Sequence, residues 1–155
     1  MKFTIKGHQG KIKHICMKYL ITICLLFIGQ WSEAQETIQI KVSNVGTKGK
    51  VFVAITDQRK DFLTDNRLVS KVVTREQALQ GFSVQLPKNT RHEIAIAIFQ
   101  DINGNDKLDT NLLGIPKEAF GFSNKVVSKW KKPEFNDAKF KWDSKKLIMM
   151  ELANW

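Results

Sequence analysis

Little of the chemistry that marks many enzymes is available to this chain. Its 155 residues hold two cysteines, three histidines, three prolines and a single tyrosine. Both cysteines, Cys16 and Cys24, and two of the histidines, His8 and His14, sit in the first 24 residues. Past that point there is no disulfide and no thiol nucleophile. The one remaining histidine, His92, is too little for a zinc set, which needs several nitrogen or sulfur ligands. No serine occupies a nucleophile elbow, and no glycine-rich phosphate loop is present. The apolar runs all stop short of the roughly 20 residues that a membrane-spanning helix requires. Acidic charge is scarce as well: 25 lysines and arginines face 15 aspartates and glutamates, a net charge of +10.

What is present begins with a leader. In "MKYLITICLLFIGQWSEAQ", Lys18 is a short basic start, Tyr19 to Gly29 is apolar, and Ser32-Glu33-Ala34 fits the small-x-small rule of signal cleavage. The pattern predicts a secretory signal cut after Ala34, with Met1–Cys16 as a basic N-terminal extension, and an exported domain over residues 35–155 without a transmembrane span. Cleavage removes five lysines and one glutamate, which leaves 121 residues at a net charge of +6. For an exported protein, that charge suits an anionic glycan or another envelope component as partner rather than nucleic acid, and it is also what plain solubility asks of a surface.

The exported part has a period of two. Ile38, Ile40 and Val42 alternate with polar residues, as do Phe82, Val84 and Leu86 before Pro87. Val51–Ile55 reads as a strand with little polar character on either face, and "HEIAIAIFQ" (92–100) is apolar on both faces, which predicts a central strand. Leu68–Thr74, Phe140–Trp142 and Leu147–Leu152 read as further strands, and "REQALQ" as one turn of helix. About seven short strands joined by tight turns predict an all-β fold. The expectation is a single antiparallel β-sandwich, Ig-like or transthyretin-like, with one long ordered loop from Asp101 to Lys139.

That loop opens with "DINGNDKLD". Asp101, Asn103, Asn105 and Asp109 stand at the D-x-N-x-N-x-x-x-D spacing of a calcium loop, with Lys107 offering its backbone carbonyl and Glu118 an outside oxygen. Leu112 and Asp106 stand where an EF-hand needs Glu and Gly, so this is not an EF-hand. Asp and Asn also cap turns through their own backbone. Spacing alone leaves both readings open: calcium, or no cofactor.

The run "DINGNDKLDTNLLGIPKEAFGFSN" followed by "FNDAKF" resembles a bacterial secreted family, domain-of-unknown-function family 2141. Members carry D-x-N-G-N-x-K-L-D-T-N, G-x-P-x-E, G-F-S-N and a later F-x-D-A. The resemblance covers about Ile38 to Leu152 and implies an exported β-sandwich without a settled activity. The chain departs from the pattern at "NTRHE", where members often have Gly-x-Tyr, and at Asp106, where they often have Gly.

"NKVVSKWKKPEF" places Lys125, Lys129, Lys131 and Lys132 around Trp130, a grouping that can grip an anionic glycan or a membrane surface and that is equally a solvated face. Two functional expectations follow. The first is a non-catalytic binding or structural module of the envelope, with the Asp101–Asn124 loop as its business end. The alternative is a small hydrolase using carboxylates such as Glu118 and Asp137, whose mark would be a deep acidic pocket around Glu118.

Overall fold

Alternation of apolar and polar residues is the dominant signal in residues 35–155, and the described strands obey it. The computed structural model describes residues 36–126, 131–144 and 146–153. The expected leader and Trp130 lie outside the described residues. Among the described residues eight strands appear in chain order: β1 (Thr37–Ser43), β2 (Lys50–Thr56), β3 (Val69–Thr74), β4 (Phe82–Gln85), β5 (Glu93–Asp101), β6 (Phe120–Phe122), β7 (Phe140–Lys141) and β8 (Leu147–Glu151). Two short helices interrupt them, α1 (Arg75–Gln80) and α2 (Phe135–Ala138). Thr74 starts α1 with a reciprocal cap: its hydroxyl accepts from Gln77 N–H, and Gln77 Oε1 accepts from Thr74 N–H.

The strands form two sheets, one ordered β4-β1-β8 and the other β3-β2-β5-β6, with β7 pairing the start of β5. The fold is therefore all-β, but it is not wholly antiparallel. β1 and β8 run parallel, Gln39 opposite Leu147 and Ser43 opposite Glu151. Apolar alternation records which face of a strand is buried and says nothing of its direction, so this pairing could not be read from it. β5 is central as expected, bonded to β2 on one side and to β6 and β7 on the other.

Ile38, Ile40 and Val42 of β1, with Val84 and Met150, share one buried cluster with Val51, Val53 and Ile55 of β2 and Ile94, Ile96 and Ile98 of β5. Each of these buried aliphatic side chains contributes about 1.5–3 kcal/mol relative to exposure. A second, smaller cluster of Ala95, Phe135 and Ala138, backed by Phe62 and Phe122, sits on the other face of β5.

The segment from Asp101 to Lys139 is not structureless. It contains β6, a short 3-10 turn at Ser123–Lys125, and α2. Gly121 allows the chain after β8 to run against β6, where Phe120 and Ala153 exchange backbone hydrogen bonds. A Cβ at Gly121 would collide with the Glu151 carbonyl.

Candidate functional site

The residues from Asp101 to Glu118 wrap around two buried carboxylates. Asp101 ends β5 and is 2% exposed, and Glu118 is 6% exposed. Asp101 Oδ1 accepts from the N–H of Gly104 at 2.7 Å and of Asn105 at 3.3 Å, and Oδ2 accepts from Asp106 N–H at 2.9 Å. Glu118 accepts from Ile102 N–H and from Asp109 N–H at 2.8 and 3.1 Å, clamping both ends of the loop. Burial acts most strongly on the Asp101 carboxyl and pushes it up. The four backbone N–H groups of Asp106, Gly104, Asn105 and Asn103 outweigh that push and hold it below the ordinary aspartate value.

The other residues expected at a metal site are drawn into the same network. The side-chain oxygens of Asn103 and Asn105 accept from the N–H groups of Asn105 and Lys107. Their amide nitrogens donate to the two oxygens of Asp109 at 2.6 and 2.9 Å. Asp101, Asn103, Asn105 and Asp109 are thus brought together, with their side-chain oxygens already engaged by N–H donors. A calcium ion would compete with those donors for the same atoms. Farther along, Asn111 Oδ1 accepts from Leu113 and Ile115 and sets the turn whose tip, Leu112-Leu113, is fully in solvent. Asp106 has a φ of +61°, a conformation in which glycine is unstrained and Asp is tolerated. This is a physical reason for Gly to stand at that position in members of the family the loop resembles.

The later motif residues also hold backbone. Ser123 is buried, and its hydroxyl lies within hydrogen-bonding distance of the Ile96 N–H and of the Ile96 and Ala138 carbonyls. Asn124 donates to the Asp137 and Lys139 carbonyls. The Asp137 carboxylate caps α2 by accepting from Glu134 N–H at 2.8 Å. Glu118 and Asp137, the carboxylates named for acid–base chemistry, are therefore both committed to main-chain donors.

Pattern reading missed a cleft on the outer face of the β3-β2-β5-β6 sheet. Its volume is about 900 Å³. Register builds its floor: Phe52 of β2 lies opposite Phe99 of β5, which lies opposite Phe120 of β6, and the next row is Ala54, Ala97 and Phe122. Phe52 and Phe99 stack at 4.8 Å with planes 13° apart. Phe62 leans against Phe122 at 6.2 Å. One wall is the β2–β3 connection from Phe62 to Arg67, and the other is the loop from Asp106 to Pro116, with Lys131, Lys132 and Pro133 beside them. The two alanines leave the space, and the rings line it. The missed signal was the pairing of small and aromatic residues on the outward positions of two neighbouring strands.

A second, smaller cleft of about 340 Å³ is polar, lined by Asp57, Arg59, Arg91, His92 and Glu93 at the start of β5, with Phe135 and Asn136. Asp57 accepts there from Arg91 N–H at 3.3 Å. Glu118 lines neither cleft.

Comparison with known proteins finds no significant match among curated proteins or among solved structures. Residues 40–149 do match a family model, DUF2141, described as an uncharacterised protein conserved in bacteria. That span runs from β1 into β8 and takes in the loop, the cleft floor and the G-F-S-N turn, and with it the chain belongs to the DUF2141 family.

Proposed function

We propose that the chain is an exported, non-catalytic binding module of the cell envelope, a β-sandwich of transthyretin-like or Ig-like type whose ligand lies in the aromatic-floored cleft. The observation that carries this reading is the cleft itself. It falls within the range of volumes, roughly 300–1,000 Å³, usual for small-molecule sites, and it is floored by phenylalanine rings, three of them half-buried, rather than by catalytic groups. Export is supported by the signal-like leader. The hydrolase alternative has less behind it, because Glu118 and Asp137 are bonded to backbone N–H groups. The loop from Asp106 to Pro116 serves in this reading as a wall of the cleft, held in place by the Asp101–Asp109 network, and calcium is the ion to test on that network's oxygens.

The test uses a neutral, environment-sensitive apolar dye. Saturable one-to-one binding to the purified protein, lost in Ala97→Phe with the melting temperature retained, is the expected result. Absence of any saturable binding overturns the reading. N-terminal sequencing of the protein recovered from the envelope fraction is expected to begin at Gln35. An uncut chain retained in the cytoplasm would remove the export half of the proposal.

A further inference from the structure

The cleft has an apolar floor and a charged rim, and the two together define a ligand. Phe52, Ala54, Ala97, Phe99, Phe120 and Phe122 supply no side-chain donor or acceptor. A glycan can stack a C–H face on such rings, but its ring-edge hydroxyls need side-chain partners beside the rings, and these six floor residues supply none. The rim differs. Four cations, Arg67, Lys107, Lys131 and Lys132, and two carboxylates, Asp65 and Asp106, line it. Arg67 is paired with Asp65 at 3.1 Å and Lys131 with Glu134 at 2.8 Å. Among the described residues Lys107 and Lys132 make no ion pair, and Asp106 is the one rim carboxylate left to offset them.

Resting on the binding-module reading, we infer that the cleft takes a small amphipathic anion, with an apolar chain or ring on the phenylalanine floor and a carboxylate, sulfate or phosphate group held at the rim by Lys107 and Lys132. Rim and floor have separate tasks. Burial of the apolar body against the rings supplies affinity without direction. The two lysines fix which end of the ligand faces solvent and select against neutral and cationic amphiphiles, since a like charge at the rim would be repelled. The net charge of +6 on residues 35–155 adds a long-range attraction for the same sign of ligand.

The experiment is a calorimetric titration of the purified protein with three probes sharing one twelve-carbon chain, dodecanoate, dodecanol and dodecylammonium, each below its aggregation threshold. Dodecanoate is expected to bind at least about tenfold more tightly than the other two, a difference of roughly 1.4 kcal/mol. The double variant Lys107→Gln/Lys132→Gln is expected to remove that preference while leaving dodecanol binding unchanged. Ala97→Phe is expected to abolish binding of all three. Equal affinity for carboxylate and alcohol, unaltered in the lysine variant, would overturn the anionic assignment and leave the apolar cleft intact as a site. Failure of all three probes to bind the native protein would overturn both readings together.

Discussion

The two faces of β5 are built from equally apolar residues and serve different ends. On the inner face, Ile94, Ile96 and Ile98 are each at most 2% exposed and mesh with the opposite sheet. On the outer face, Ala95, Ala97 and Phe99 alternate with them. Only Ala95 is covered, by Phe135 and Ala138, while Ala97 and Phe99 are left half-open beneath the cleft. The inner face is branched and interlocking, which specifies one packing arrangement. The outer face pairs methyl groups with flat rings, which leaves a hollow. Hydrophobicity alone does not separate a core from a binding surface; residue shape and the cover on the other side do.

The contrast can be broken at several points. Ile96→Ala should cost most, about 2–5 kcal/mol in chemical denaturation, because it opens a cavity among side chains that cannot collapse. Phe99→Ala should cost markedly less, about 1–2 kcal/mol, since the ring is only half-buried, while removing binding of apolar probes. Equal losses at the two positions would mean that the outer face is core as well. Gly121→Ala should cost on the order of 1–3 kcal/mol, because the Cβ meets the Glu151 carbonyl where β6 joins the segment after β8. It should also quicken amide exchange at Phe120 and Ala153.

A smaller effect separates the loop from both faces. The Asp101 carboxyl titrates in the folded state below its ordinary value of 3.8. Its depressed value means that its contribution is fully present above about pH 4 and is lost as pH falls through the lower folded-state value. Asp101→Asn should therefore flatten the acid limb of the pH–stability curve and leave the neutral region lower by a nearly constant amount, as read by urea midpoints from pH 2 to 7. An unchanged acid limb would show that the loop's hydrogen bonds are not coupled to folding. The smallest effect is expected from calcium against chelator in thermal melts. With the loop's oxygens already accepting N–H donors, any rise in melting temperature should be slight. A large rise, lost in Asp101→Ala, would make the loop a metal site instead of a wall.

Much of this arrangement was legible in the residue pattern. Ile38–Val42, Val51–Ile55, Phe82–Leu86 and 92–100 announce β1, β2, β4 and β5 by alternation or by continuous apolar character, and "REQALQ" is α1. β6 escaped because Phe-Gly-Phe is three residues long and carries a glycine, which on its face marks a break. At the site, the spacing of Asp101, Asn103, Asn105 and Asp109 fixed which residues gather but not what they hold, since ligand oxygens and turn-capping oxygens share one spacing. Glu118 was named as a loop partner, yet its two main-chain donors, Ile102 and Asp109, have no sequence signature. The cleft stayed hidden because alternation shows that β5 is apolar on both sides and not that one side lacks a lid.

The parallel pairing of β1 and β8 has a bearing on time as well as on shape. Ser43 bonds across to Met150, 107 residues later, so β1 waits for β8 before its sheet is complete. Contacts that distant slow folding, because the chain must close a long loop before the bond can form. During synthesis β1 has β4 on one edge, and its other edge stays open until β8 has been made. An open edge of that kind is a template on which two unfinished chains can pair, so the interval before β8 is in place is when this protein is most exposed to aggregation.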